Sequence, residues 1–235
     1  MSAEGTRFSL YDSKKVNLSV VAIKSTVLGF LLAVNCTVII LAFLNVIYVP
    51  STIIKINGYV SFVCIFHFLE FITTAVFNNS NVDDDSFILN DWDLHAINVI
   101  SILEFLMKSW FTSFSFTKMG LVLILLSQII RTLAMCTAGE SFNHYIQKER
   151  HNDHKLVTNG IYSIMRHPSY FGFFWWFIGL QLYFGNIITL TLGTFKLWNF
   201  FNKRIEFEEN YLTTFFGKDY LSYKSQTGTG IPFIT

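Results

Sequence analysis

Two short polar stretches in the second half of the chain carry side chains suited to chemistry on charged substrates. In one of them, Arg204 and Glu208 are four residues apart, so they share a face if the stretch is helical. A fixed guanidinium can bind a carboxylate in a fork-like, charge-assisted geometry, while the acid binds a cation or donor nearby. The same spacing also suits an ordinary surface ion pair, and spacing alone leaves both interpretations open.

The other polar stretch, residues 160–172, contains Arg166, His167 and Pro168. One interpretation is a basic anchor followed by a proline that opens the next helix in its first turn. The alternative is a binding site formed where this stretch meets the one around Arg204. No GxGxxG follows a strand-like segment, and no GxSxG, HExxH or P-loop occurs in the sequence. We therefore expect any cofactor site to be formed by helices and the polar segments between them.

The cysteines and the net charge argue against two further kinds of site. Cys36, Cys64 and Cys136 lie in or beside apolar runs without CxxC or Cys/His spacing. They predict buried thiols, and they support neither a zinc site nor a disulfide framework. The formal net charge of +1 gives no reason to expect nucleic-acid binding.

The elements that must position these residues have the composition of a membrane protein. Hydrophobic residues make up 52% of the 235 residues and charged residues 14%, whereas a soluble domain carries about 25% charge. A helix needs about 20 mostly apolar residues to cross a bilayer. Before the polar stretches, the segments that qualify are Thr26–Tyr48, Ile53–Phe77, Leu94–Phe111 and Met119–Thr137. The third of these is the weakest, because it contains His95, Glu104 and Lys108.

A long aromatic run over 168–201 follows, interrupted by Gly185 and Asn186. A single helix of this length would measure about 50 Å, whereas the hydrocarbon core is about 30 Å thick. The run therefore predicts a helical hairpin that returns both polar stretches to one surface. Most Lys and Arg residues lie in the N-terminal segment, in 138–167 and in the tail, which the positive-inside rule assigns to the cytosol.

The expected fold class is all-α, a polytopic membrane protein with about six transmembrane helices that include the C-terminal hairpin. We expect one domain over 1–235. Within it, residues 1–137 would hold the N-terminal transmembrane helices. Residues 138–235 would hold the hairpin together with the cofactor-binding and catalytic segments. Lys196 is unexpected in the second arm of the hairpin, where it either snorkels to the surface or faces a pocket.

Residues 156–172 follow the pattern LVxxGxYxxxRHPxYxG, which resembles the signature of membrane methyltransferases that use S-adenosylmethionine. Phospholipid methyltransferases share this signature. Three further segments resemble isoprenylcysteine carboxyl methyltransferases, most of all the fungal members: RxxAMxTAGxSFxH from Arg131, RxxxEE from Arg204 and GIPFI from Gly230. His67 and Glu70 also fit, so the resemblance covers most of the chain.

This resemblance implies methyl esterification of the C-terminal prenylcysteine carboxylate of CAAX-processed proteins, with S-adenosylmethionine as methyl donor. Arg204 would contact the substrate carboxylate and act in catalysis. No metal is implied. The positions implied for the methyl donor are Gln147, His154, Lys155, Leu156, Val157, Tyr162, His167, Pro168, Ser169, Tyr170 and Glu208.

The partners implied are proteins with a farnesyl or geranylgeranyl group and the lipid bilayer, and the implied location is the endoplasmic reticulum membrane with a cytosolic active site. A phospholipid (phosphatidylethanolamine) N-methyltransferase is the first alternative. Such an enzyme would need an acidic residue near its amine nucleophile, whereas an arginine suits a carboxylate acceptor. A sterol reductase would bind a pyridine nucleotide, and a membrane scaffold would bind neither cofactor.

Overall fold

The structure, a computed structural model, describes residues 16–111, 116–149 and 155–235, and the regular elements within these ranges are helices. The α-helices are α1 (Leu18–Phe43), α2 (Ser51–Phe77), α3 (Trp92–Ser109), α4 (Thr117–Ala138), α5 (Pro168–Phe184), α6 (Thr194–Phe216) and the shorter α7 (Lys218–Gln226). Short 3₁₀ turns occupy Asn79–Asn81, Gly139–Ser141 and Gly160–Ser163, and a π-helical segment, Thr189–Gly193, leads into α6. The all-α class expected from the sequence is confirmed.

Three helices in the described ranges, α1, α2 and α4, are long and apolar enough to cross a membrane. The first of them lies earlier in the chain than the predicted range 26–48. It begins at Leu18 because the Asn17 side chain accepts hydrogen bonds from two backbone N–H groups of the first turn, at 3.1 and 3.3 Å. It ends at Phe43 because Asn45 adopts a positive φ of 56°, which a helix cannot continue through.

Helices α4 and α5 pack backbone against backbone because glycines lie along their contact. A Cβ atom added to Gly179 would lie 2.9 Å from the Ile124 backbone nitrogen, and one added to Gly172 would lie 2.9 Å from that of Arg131. Gly120 of α4 faces the backbone of α5 in the same way. Small residues permit this close approach in membrane helices. The packing places Arg131 directly beside the first turn of α5.

We predict that Gly179→Ala lowers the melting temperature of the purified protein in detergent. The added methyl group meets backbone atoms of α4 that cannot move aside, and such overpacking costs about 1–3 kcal/mol. Gly29→Ala in α1 is the matched control, because its new Cβ would lie 3.8 Å from Phe68, an ordinary contact. Equal melting temperatures for the two variants would contradict the close packing of α4 on α5.

Helix α3 holds the turn between α5 and α6 with two oppositely charged side chains. The Glu104 carboxylate accepts hydrogen bonds from the backbone N–H groups of residues 187–189, at 2.7–2.8 Å. Lys108 Nζ donates to the carbonyl oxygens of Phe184 (2.7 Å) and Gly185 (2.8 Å). Each charge complements the helix terminus that it contacts, negative at an N-terminus and positive at a C-terminus. The turn is thereby fixed to α3.

The polar tail that follows the aromatic run is helical through most of its length. Helix α6 continues through Arg204 to Phe216, and α7 follows after Gly217, which has a positive φ of 55°. Lys196 does not face a pocket. Its Nζ lies 3.0 Å from Asp93 Oδ1 of α3, and 70% of the lysine side chain is exposed.

Candidate functional site

A cavity opens where α4 ends and α5 begins, beside the C-terminal half of α6 and helix α7. The structure brings together at this cavity most of the residues that the resemblance implies for a methyl donor. Those that line the cavity are Lys155, Leu156, Val157, Tyr162, His167, Pro168, Ser169, Tyr170 and Glu208. Gln147 is not among the lining residues, and His154 lies outside the described part of the chain.

The two polar stretches meet at Glu209 in α6. Its carboxylate lies 2.5 Å from Arg166 Nε, 3.0 Å from His167 Nε2 and 2.5 Å from Lys224 Nζ. Burial alone would raise the pKa of this carboxyl group, but hydrogen bonds from His167, Arg166 and Lys224 outweigh burial and hold the pKa of Glu209 below its ordinary value. Glu209 is therefore an ionised anchor that fixes His167 in the cavity wall.

Tyr170, in the first turn of α5, connects the residues implied for the two substrates. Its hydroxyl donates a hydrogen bond to Glu208 Oε2 at 2.5 Å and accepts one from Arg204 Nε at 2.9 Å. The Arg204 guanidinium carbon lies 5.4 Å from the centre of the tyrosine ring. Within the described residues Arg204 and Glu208 form no ion pair, so the simple i,i+4 pair that the spacing left open is not what the structure contains.

Arg204 is held by two of its three nitrogens. Nε donates to Tyr170, and Nη2 donates to the backbone carbonyl of His144 at 2.6 Å. For Nη1 the described ranges contain no hydrogen-bond partner, and the residue is only partly buried. The protein thus fixes the guanidinium and leaves one nitrogen for a ligand, which an anionic oxygen would suit.

A buried ion pair lies behind this arrangement. Arg131 Nη2 donates to Glu70 Oε2 at 2.9 Å, and Arg131 Nε bonds the other carboxylate oxygen. Arg131 Nη1 reaches the backbone carbonyl and the hydroxyl of Ser169, both at 3.0 Å. His144 Nε2 lies 2.8 Å from the same Glu70 carboxylate. Glu70 therefore links the cavity wall at Ser169 to the segment whose carbonyl holds Arg204.

Sequence reasoning missed several residues that line the cavity, chiefly those contributed by the end of α6 and by α7. Leu212 and Phe216 follow Glu208 at four and eight positions, a helical repeat that extends one face of α6. This periodicity was visible in the sequence. Tyr223 also lines the cavity, and its hydroxyl donates to the Tyr162 carbonyl at 2.6 Å. Burial raises the pKa of Tyr223 to about 12, so the hydroxyl remains a neutral donor.

The cavity lining combines tyrosine rings and aliphatic side chains with a carboxylate. Glu208 uses Oε2 for Tyr170, and for its other oxygen the described ranges contain no hydrogen-bond partner. Leu156, Val157 and Tyr162, from the first part of the sequence signature, provide apolar and aromatic surface in the lining. The site can therefore hold a molecule with a flat ring and polar or cationic groups, next to an arginine for an anion.

Known proteins resemble this chain in sequence and in fold. A sequence model of the isoprenylcysteine carboxyl methyltransferase (ICMT) family matches residues 119–214. The chain is 43% identical over 190 residues to the protein-S-isoprenylcysteine O-methyltransferase of Saccharomyces cerevisiae, covering 76% of this chain and 80% of that one. With the enzyme of the same name from Schizosaccharomyces pombe it shares 38% identity over 201 residues, covering 77% and 84%.

A solved structure of the eukaryotic intramembrane Ras methyltransferase ICMT is similar in fold, with a TM-score of 0.84 and 36% sequence identity. The similarity covers 92% of this chain and 77% of that chain. The family expected from the signature around Arg166 and from the segments after Arg131 is thus confirmed. The chain belongs to the isoprenylcysteine carboxyl methyltransferase family.

Proposed function

We propose that this protein transfers a methyl group from S-adenosylmethionine to the carboxylate of a C-terminal S-prenylcysteine, giving a methyl ester on CAAX-processed proteins. The relatives named protein-S-isoprenylcysteine O-methyltransferase support this reaction. The observation that carries the proposal is Arg204, which is fixed through Nε and Nη2 and keeps Nη1 for an acceptor. The Tyr170 hydroxyl links Arg204 to Glu208, which lies in the cavity wall.

The residues around the cavity fit S-adenosylmethionine, which supplies a methyl group bonded to a positively charged sulfur. Leu156, Val157 and Tyr162 offer surface for the adenine ring. The free oxygen of Glu208 can accept hydrogen bonds from hydroxyl or ammonium groups, and His167 is held in the wall by Glu209. These residues, with Lys155, Pro168, Ser169 and Tyr170, form the donor site in this proposal, and we keep Gln147 and His154 as expectations from the resemblance.

Arg204 and its surroundings would act on the acceptor by position and charge. A carboxylic acid with an ordinary pKa is ionised at neutral pH, so the acceptor needs no general base. A single contact from Nη1 leaves the second carboxylate oxygen uncovered and nucleophilic, whereas a bidentate fork would engage both oxygens. The ester product is neutral, so its attraction to the guanidinium is weaker and release is favoured.

The experiment that tests the proposed function is transfer of labelled methyl groups in membranes that contain the protein. N-Acetyl-S-farnesylcysteine and phosphatidylethanolamine are offered as parallel acceptors with S-adenosylmethionine. Base-labile label on the farnesylcysteine is the expected result. Label found only in the phospholipid would show that the acceptor is a head-group amine and not a carboxylate. Arg204 would then be ruled out as the residue that binds the acceptor.

We propose further that α3, α5 and the helix from Thr189 to Phe201 also cross the membrane, which gives about six crossings. The last of these combines the π-helical segment with the first part of α6, and this short arm crosses where the bilayer is thinned or where it packs on its neighbours. The contacts between helix ends support this. At one end of the bundle Lys108, in the last turn of α3, reaches Gly185 after α5 at 2.8 Å. At the same end Thr117, which opens α4, donates to the Tyr183 carbonyl at 3.4 Å.

The opposite end of the bundle holds the other set of helix termini. Asn78, which follows α2, donates to the carbonyl of Phe142, which follows α4. Arg166, which precedes α5, pairs with Glu209 in the last part of α6. Successive helices thus alternate in direction, as about six crossings require. We place the site at this second end and on the cytosolic face of the endoplasmic reticulum membrane, because most of the basic residues lie there.

This topology predicts which introduced cysteines react with a membrane-impermeant maleimide in sealed microsomes. In a variant whose three native cysteines are replaced by alanine, Ser222→Cys in α7 should react without detergent. Tyr48→Cys, between α1 and α2, should react only after permeabilisation, although Tyr48 is 93% exposed. The Asn78-Asn79-Ser80 sequon should stay unglycosylated. Reaction of Tyr48→Cys in intact vesicles would overturn the proposed number of crossings.

A further inference from the structure

The C-terminal segment 227–234, which we name the C-terminal clasp, grips the turn that precedes α5. The backbone N–H of Arg166 donates to the Gly228 carbonyl at 2.9 Å. Its side-chain Nη1 donates to the Thr227 carbonyl at 2.6 Å. Met165 pairs with Gly228 as an isolated parallel bridge. The clasp therefore holds both the backbone and the guanidinium of Arg166, which itself is buried.

The clasp is closed by Thr229, which is 1% exposed. Its hydroxyl donates to the Ile234 carbonyl at 2.6 Å and accepts from the Ile231 N–H at 3.2 Å. Gly230 has a positive φ of 81°, and a Cβ there would lie 2.7 Å from the Phe171 ring. The segment is thus a folded loop with a specific shape.

Apolar packing fixes the clasp against α5 and α6. Ile231 and Ile234 are buried in one cluster with Phe174, Phe201 and Ile205. A hydrogen bond from Trp198 Nε1 to the Pro232 carbonyl, 2.7 Å long, ties the loop to α6. The clasp consequently bridges the two helices that carry the polar stretches of the site.

A chain of contacts leads from the clasp to the cavity. Arg166 pairs with Glu209 at 2.5 Å, and Glu209 lies 3.0 Å from His167 Nε2. The His167 ring stacks on Tyr170, with centroids 5.4 Å apart and an angle of 7° between the planes. Both rings line the cavity. The orientation of this part of the wall therefore depends on where the clasp holds Arg166.

We propose that the C-terminal clasp is a positioning element for the methyl donor, and that Thr229 is its closing residue. It acts through Arg166 and Glu209, which hold His167 in the cavity wall. The inference rests on the proposed function, because it takes this cavity as the donor site. The His144 carbonyl, which accepts from Arg204 Nη2, lies outside this chain of contacts, so opening the clasp should affect the donor more than the acceptor.

The first test is Thr229→Val, which keeps the shape of the side chain and removes its hydroxyl. We expect the KM for S-adenosylmethionine to rise about tenfold, the effect of losing a buried hydrogen bond. The kcat at saturating donor and the KM for N-acetyl-S-farnesylcysteine should stay within about twofold. Thr229→Ser should restore the donor KM. The matched control is Thr214→Val. Thr214 is an exposed residue of α6, and its hydroxyl donates only to the Asn210 carbonyl of the same helix.

The second test uses the wild-type protein, so it does not depend on how a variant folds. S-Adenosylhomocysteine is added to the purified protein in detergent, and backbone hydrogen exchange is followed by mass spectrometry. We expect slower exchange in 227–234 together with 155–170. Binding that slows 155–170 alone would overturn the clasp, as would a wild-type donor KM in Thr229→Val. Absence of any binding would instead overturn the proposed function.

Discussion

Replacing Arg204 with alanine is expected to lower kcat/KM for a farnesylcysteine acceptor by about 10²- to 10³-fold, the range seen when one fixed electrostatic donor is removed from an active site. The physical reason is that Tyr170 and His144 occupy Nε and Nη2, so Nη1 is the nitrogen that binds the acceptor carboxylate in the proposed mechanism. Binding of S-adenosylhomocysteine should fall far less than the activity, because the proposed donor site loses only its coupling to Arg204 through Tyr170 and keeps its other contacts.

Two further variants separate charge from geometry at this position. Arg204→Lys keeps the positive charge, but one ammonium group cannot hold Tyr170, the His144 carbonyl and an acceptor in the same directions. It should therefore recover only a small part of the activity. Lys203→Ala is the matched control, because Lys203 is a neighbouring cation on the same helix. Turnover in Arg204→Ala close to that of Lys203→Ala would exclude Arg204 from the reaction.

Replacing Glu70 with alanine is expected to destabilise the protein by about 3–5 kcal/mol, the cost of leaving one member of a buried ion pair without its partner. Glu70 is fully buried and engages both Arg131 and His144. The variant would leave the Arg131 guanidinium with only its two bonds to Ser169. Thermal unfolding in detergent measures the loss, and exposed Glu206→Gln on α6 provides the control.

A double variant distinguishes stability from function in the same network. In Glu70→Leu/Arg131→Met both charges are replaced by apolar side chains of similar size, which is often neutral for stability when a buried pair is removed as a unit. We expect the melting temperature to recover toward wild type while methyl transfer stays low, since Ser169 and His144 lose their partner. Recovery of both quantities would show that the network is needed for folding alone.

The sequence predicted the class of fold and the meeting of two polar stretches, because both follow from local patterns. Apolar length indicated α1, α2 and α4, and Gly185 marked the end of α5. The resemblance also selected the residues of the cavity wall around His167. These features depend on composition and motif, which a single sequence carries in full.

Other parts of the site depend on contacts between distant residues. Glu70 and Arg131 are 61 positions apart, and no periodicity indicates that α2 and α4 place them together. The Tyr170 hydroxyl lies between Arg204 and Glu208 only because the first turn of α5 packs beside the later part of α6. Such pairings are set by helix packing and by rotamers. The spacing of Arg204 and Glu208 alone therefore left open a direct ion pair, and the packing replaces it with two hydrogen bonds to Tyr170.

In the proposed site, the shared hydroxyl of Tyr170 makes the Glu208 and Arg204 positions thermodynamically dependent on each other. It gives its proton to Glu208 and offers its oxygen to Arg204, so a ligand that changes one hydrogen bond changes the strength of the other. By linkage, whatever the first ligand does to the affinity for the second, the second does equally to the first. In a compound that spans both positions, this coupling adds to the effect of joining the two parts in one molecule, so bisubstrate inhibitors draw on an interaction that ligands of either position alone do not use.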